Sequence, residues 1–365
     1  WLSSKTMIDS IKIILKDFSG DLKNCTFVEP KKLIKDIDEK EYHYDNYRLY
    51  NHSQSAKHFL KVCKKTNKVT KKVTVTLTGS LRKRSYNRVT LLDMPQSTFV
   101  QTLKGIAKEL SISFDELRQA EFTQCEIGAN VRTRIPAINI LPLVVDYSHY
   151  QRIDDYIEKG TLYFNGADRL LKLYVKDDEI AAHSFSEEKR ILKKMSFDKL
   201  KAKGIHHLRI EFTMKTHRSF KNRGMDYIRT VGDLIDHYSE LYDFWTKEIN
   251  QIVVYNKLKY DEAELSNKEK EIILGLEEFG YFDFVDSYQD YRMSKATKKD
   301  SKKSAKSEAF KDVRLVLNKY FDRKEYNKFT LRIDVAKYII GKSKSFQLNL
   351  PLLIRNLWGI STINK

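Results

Sequence analysis

The stretch "GADRLLKLYVKDDEI", residues 166–180, decides the fold. Leu171, Leu173 and Val175 alternate with Lys172, Tyr174 and Lys176, a period of two that predicts a strand with one apolar and one polar face. Ahead of it "TLYF", residues 161–164, is a second strand-like run, and the Asn165-Gly166 pair in the connecting "NGAD" is a hairpin turn signal. A further strand follows in "HLRIEFTMK", residues 207–215, with Arg209 and Glu211 interleaved among Leu208, Ile210 and Phe212.

Upstream, Ile11, Ile13 and Leu15 predict a half-buried first strand, and "VTVTLT", residues 73–78, predicts another from its β-branched residues. "LRKRSYNR", residues 81–88, reads as a basic turn or loop, and Phe99, Val100, Leu103, Ile106, Ala107 and Leu110 predict an amphipathic helix over 97–110 capped by Ser97. "EFTQCEIGANV", residues 121–131, reads as a strand whose Gln124 and Glu126 share a face with Phe122 and Gly128. Residues 225–245 are helical by periodicity. The class expected is α+β, an antiparallel central sheet flanked by helices.

Residues 7–290 are expected to form the main domain, with Met7 read as a start and the six residues before it set aside. Residues 294–308 hold a lysine-rich run with no large apolar side chain, the composition of a solvated linker. Residues 309–365 then form a small, mainly helical accessory segment.

Lys and Arg exceed Asp and Glu by 67 to 49, a formal charge of +18 that calls for a polyanionic partner, nucleic acid first. Cys25, Cys63 and Cys125 are too widely spaced for a disulfide framework or a paired-cysteine zinc site, which fits a reducing cytoplasm. No apolar run is long enough to suggest a membrane span. The adjacent His206 and His207 would point to opposite faces of a strand, against a shared metal. Neither a phosphate-binding G-x-x-x-x-G-K-[ST] loop nor a G-x-S-x-G elbow occurs, which argues against an ATP-driven motor and a serine hydrolase.

Carboxylates within strands remain. Glu126 lies between Cys125 and Ile127, and Glu211 between Ile210 and Phe212. On a one-sided sheet both simply face water; in a basic protein they can instead hold Mg²⁺ or Mn²⁺, which favour oxygen ligands. Tyr174 poses the same choice. It is either an aromatic packed beside lysine stems or a nucleophile whose phenolate the flanking lysines stabilise, lowering its pKa.

Taken in order, "MIDSIKIIL", "FTQCEIGANV", "LKLYVKDDE" and "LRIEFTMK" resemble the filamentous-phage gene II and gene X replication initiators, and more loosely plasmid rolling-circle initiators without a His-hydrophobic-His motif. The resemblance spans about residues 7–250 and rests on order and spacing. It implies a Rep-type nicking domain, with Tyr174 at the nucleophile position and Glu126 and Glu211 at the two acidic strands. Gln124 stands where the family usually has arginine, and Tyr163, on the partner strand of the hairpin, competes as nucleophile. Implied is an endonuclease that starts rolling-circle replication on single-stranded origin DNA, leaving a 5′-phosphotyrosine and a 3′-OH for a host polymerase, with a host helicase as a further partner in the bacterial cytoplasm. Within that reading Glu126 and Glu211 hold the cation, Lys176 assists the tyrosine, and Asp177, Asp178 and Glu179 are candidates for a third ligand. DNA contacts fall to Arg82, Lys83, Arg84, Arg88, Arg132, Arg134, Arg209, Arg218, Lys221 and Arg223. Rival readings are a noncatalytic nucleic-acid binder, a metal-dependent nuclease using water, and a structural protein of a phage or mobile element.

Overall fold

Alternation in the first strand is realised as expected: Ile8, Ile11, Ile13 and Leu15 are buried in β1 (Ile8–Leu15). The computed structural model describes residues 8–35, 41–50, 58–87, 89–182, 187–297, 299–346 and 350–358. After β1 the chain forms a meander, β2 (Thr26–Lys35), β3 (Glu41–Tyr50), β4 (Phe59–Asn67) and β5 (Val73–Ser80), followed by α1 (Leu81–Tyr86), α2 (Gln96–Glu109) and α3 (Phe114–Gln119). The long β6 (Glu121–Thr133) leads to α4 (Ala137–Ile140), β7 (Val144–Tyr147), β8 (Gln151–Ile153) and the hairpin β9 (Thr161–Asn165) and β10 (Arg169–Val175). Next come α5 (Lys176–Ala182), α6 (Glu187–Lys201), β11 (His206–Met214), α7 (His217–Lys221), α8 (Val231–Asp236), α9 (Glu240–Ile249) and β12 (Ile252–Val254). Among the described residues four helices follow: α10 (Asn267–Ser294), α11 (Lys299–Lys319), α12 (Lys328–Phe346) and α13 (Leu350–Trp358).

Among the described residues ten strands form one sheet in the order β2-β3-β4-β5-β1-β6-β11-β10-β9-β8, antiparallel at every pairing. The fold is therefore α+β, a large antiparallel sheet flanked by helices. One sheet face supplies Ile127, Leu171, Leu173, Leu208, Ile210 and Phe212 to the main core. Phe99, Leu103 and Ile106 of α2 and Leu241, Phe244 and Trp245 of α9 cover it, each fully buried side chain contributing about 1.5–3 kcal/mol. The Trp245 indole N–H donates to the Ile210 carbonyl at 3.2 Å, fixing α9 against β11. A second core joins α10 and α11 to the small β12-β7 sheet through Val145, Val253, Ile273, Leu276 and Val313.

Several expectations give way here. "LRKRSY" is helix α1 rather than a loop, because Ser80 caps it and Arg82 and Arg84 turn inward to carboxylates. The N-cap of α2 is Pro95, with no side-chain cap from Ser97. Phe122 joins the core face because β6 carries an extra residue where Lys12 pairs with Gln124 and Ile13 with Phe122, so the simple alternation breaks there. Residues 225–245 hold two short helices rather than one, with His237 and Ser239 between them.

The described residues of the lysine-rich stretch do not form an extended linker: Ser294 closes α10 and those from Lys299 onward open α11, which packs on α10. Nor is the C-terminal segment a separate unit. Leu331, Val335 and Ile339 of α12 and Leu353 and Leu357 of α13 belong to the main core.

Candidate active site

The opposite face of the sheet centre is polar, and register decides what meets on it. Across β11, Arg209 pairs with Tyr174 of β10 and with Asn130 of β6, while Glu211 pairs with Lys172 and Gly128, and Thr213 with Glu126. Cross-strand partners share a face, so Tyr174, Lys172, Arg209, Glu211, Asn130 and Glu126 converge. A Cβ on Gly128 would lie 2.5 Å from the Glu211 Cγ, so the missing side chain lets Glu211 lie across β6. β1 adds Asp9 through a bulge, a three-residue step from Ile8 to Ile11 facing a two-residue step from Ile127 to Cys125.

Arg209 organises this face. Its Nε donates to Glu211 Oε1 at 2.5 Å, Nη1 to Asn130 Oδ1 at 3.2 Å and Nη2 to Asp9 Oδ2 at 2.9 Å. Arg82 reaches Asp9 from α1, its Nε 3.0 Å from Oδ2, and Ser80 also donates to Asp9. Burial alone would raise the Asp9 pKa; Arg82 and Arg209 outweigh it and hold the carboxyl well below its usual range. The Tyr174 hydroxyl donates to Glu211 Oε1 at 3.3 Å and accepts from Lys176 Nζ at 3.4 Å, with Lys172 Nζ 4.3 Å from the ring centre.

The phenol is not acidified by its lysines, contrary to expectation. Tyr174 is only 5 % exposed, and burial together with the Glu211 charge raises its pKa well above the ordinary value, outweighing Arg209. Lys176, fully buried, is pushed down to about 7 by burial and by Arg209 and Arg82, although Glu179 pulls the other way. Glu126 is pushed up to about 8 by burial, then by the charges of Glu211 and Asp9. Glu211 is buried, so the water-facing reading fails for it.

Tyr163 sits opposite Lys172, half-buried, with the Lys172 Nζ 5.9 Å from its ring centre, so both tyrosines share this face while Tyr174 is the one hydrogen-bonded to Glu211. The acids after Tyr174 lie in the first turn of α5. Asp177 meets the His207 Nδ1 at 2.7 Å, Asp178 pairs with Lys201, and Glu179 binds Lys176 and, at 3.2 Å, Lys83. The member of the run that joins the tyrosine cluster is therefore Glu179, while Asp177 is held by His207. Among the described residues no three His, Cys, Asp or Glu side chains form a ligand cluster of their own.

The basic residues divide. Arg82 and Arg209 are buried at the site's acids and Arg84 is buried against Glu109, so these three are not surface DNA contacts. Arg223 pairs with Glu248. Arg132, Arg134, Arg218 and Lys221 are exposed, and Arg88 lies outside the described residues. Asp9 and Asn130 had escaped the sequence reading of the site; an acid set among the apolar residues of "IDSIKIIL" was the available signal for Asp9.

The segment that builds this face matches a known protein family. The family model for the N-terminal region of the phage gene II replication-associated protein matches residues 7–234, which takes in every strand that builds the site. Searches of curated proteins and of solved structures returned no match. The chain thus belongs to the family of phage replication-associated proteins of the gene II type.

Proposed function

We propose that this protein nicks single-stranded origin DNA by tyrosine transesterification and later rejoins the strand. The observation that carries the reading is the Tyr174 hydroxyl held between the Glu211 carboxylate at 3.3 Å and the Lys176 amine at 3.4 Å. Near neutral pH a Lys176 population is uncharged and can accept the phenol proton as the Tyr174 oxygen attacks phosphorus. The P–O3′ bond breaks, the departing oxygen takes a proton from water to become the 3′-OH, and the 5′-phosphate stays on Tyr174. Because the phosphotyrosyl ester retains the bond energy, attack by a 3′-OH reverses the step without ATP. Arg209 holds Glu211 and Asp9 in place throughout.

The donor set suits a hard cation at two positions. Glu126 and Glu211 offer carboxylate oxygens; burial first, and then the Glu211 and Asp9 charges, raise the Glu126 pKa, and a cation beside it would offset the repulsion. Asp177 does not fit as a third ligand, being bound to His207. A Mg²⁺ or Mn²⁺ ion at Glu126 and Glu211, its shell completed by water and substrate oxygens, would supply positive charge to the scissile phosphate.

The test incubates the protein with a labelled single-stranded origin oligonucleotide and Mn²⁺, then resolves it on a denaturing gel and maps the adducted peptide. A covalent 5′ adduct on Tyr174, abolished in Tyr174→Phe with DNA binding retained, is expected. An adduct on Tyr163 would move the nucleophile to the neighbouring strand. Cleavage without an adduct would assign a water-using nuclease, and full biological activity of Tyr174→Phe would assign a noncatalytic binder.

A further inference from the structure

Behind the sheet, on the side carrying α12, a cavity of about 470 Å³ opens between α11, α12 and α13. Lys311 and Arg314 of α11 and Lys328 and Arg332 of α12 line it, and no carboxylate does. Among the described residues none of these four cations has a carboxylate within ion-pair distance. Lys328 is buried, and its amine donates to the Asn250 carbonyl at 2.7 Å. Arg314 reaches the same carbonyl at 3.3 Å, Arg332 donates to the Asn250 side chain, and the Arg332 Nε is buried without a partner. Neutral oxygens accept the hydrogen bonds here, and the Asp146 carboxylate partly offsets the Arg314 charge from beyond ion-pair distance, so the cluster keeps an excess of positive charge.

Burial first, and then the nearby Arg332 and Arg314 charges, push the Lys328 amine down to about 6, and burial with Arg314 pushes the Arg332 guanidinium down to about 10. Two flat rings complete the wall. The Arg332 guanidinium lies 5.4 Å from the Trp358 ring centre, and Arg314 lies 5.9 Å from that of Phe310. Guanidinium forks match phosphate oxygens, and rings offer stacking surface for a base. The volume exceeds what a bare phosphate fills and falls in the range of small-ligand pockets. Apart from His149, every lining residue lies beyond the family-matched segment 7–234.

We propose that this pocket is a second, noncatalytic site that binds one nucleotide unit, its phosphate on Lys328, Arg332 and Arg314 and its base against Trp358. The unit comes either from a free nucleotide or from a DNA strand held behind the sheet. The site stands apart from the tyrosine chemistry and does not depend on it.

The test titrates the full chain, at fixed ionic strength, with inorganic phosphate, thymidine triphosphate and a fluorescent oligothymidylate, reading tryptophan quenching or anisotropy. Wild type, Lys311→Gln, Lys328→Gln, Arg332→Gln and Tyr174→Phe are compared. Saturable binding, weakened about tenfold in Arg332→Gln and Lys328→Gln and severalfold in Lys311→Gln, is expected, with Tyr174→Phe unchanged. Weakening for the triphosphate assigns a free nucleotide; weakening for the oligonucleotide alone assigns a strand. Lys311 is exposed, so its variant still reports if the buried ones do not fold. Binding of inorganic phosphate alone, no saturable binding, or affinities unchanged by these substitutions would overturn the assignment.

Discussion

Lys176 and Glu126 carry the pH dependence of the site. If Lys176 takes the Tyr174 proton, the nicking rate rises with pH through about 7, where the amine loses its charge, and then levels. Lys176→Met is expected to slow nicking about 10²-fold and to erase that inflection in a pH–rate profile. Glu126 acts on stability. Its carboxyl keeps its proton in the folded chain up to about 8, whereas the unfolded chain loses it near the ordinary carboxylate value, so the group disfavours folding increasingly as pH rises between those two points. Without added metal, Glu126→Gln should therefore raise Tm at pH 8, by about 2 °C, and leave it unchanged near pH 3; thermal scans at the two pH values check this. The residues themselves were partly legible. Glu211 and Tyr174 stood out as polar positions within apolar alternation, but the sign of the tyrosine's pKa shift was not, because burial, absent from a one-dimensional reading, outweighs the lysines beside it.

The strands set the geometry through β6 and β11. Gly128→Ala places a Cβ 2.5 Å from Glu211 Cγ and 3.1 Å from the Ile210 carbonyl, so the Glu211 stem has to shift. A loss of about 1–3 kcal/mol in urea denaturation, with adduct formation reduced while Tyr174 is intact, is the expected result. Period-two patterns announced β1, β5, the β9-β10 hairpin and β11 because each buries one face and leaves the other polar. Local exceptions were invisible to that argument. The bulges of β1 and β6, which bring in Asp9 and turn Phe122 to the core, are set by pairing with a neighbour rather than by composition. Helix α1 was hidden likewise, since its arginines find their acids, Asp9 and Glu109, on distant segments.

At the scale of the whole chain, the +18 charge pointed to a polyanion, and the family membership agrees with DNA as that partner. The composition could not show that the terminal helices belong to the main core, because a lysine-rich run looks solvated whether it is a linker or the exposed side of a helical pair. Removing the residues after 327 deletes Leu331, Val335, Ile339, Leu353 and Leu357 from beneath the sheet. Such a truncation is expected to abolish a cooperative thermal transition and to bind a hydrophobic dye, as circular dichroism and dye fluorescence would show.

The same dependence has a consequence in time. A ribosome finishing β11 still has well over a hundred codons to read before α13 emerges, on the order of ten seconds at ordinary bacterial speeds. Throughout that interval the nascent sheet lacks part of its apolar backing, so the face that carries Tyr174 and Glu211 stays without that support until α12 and α13 have been made.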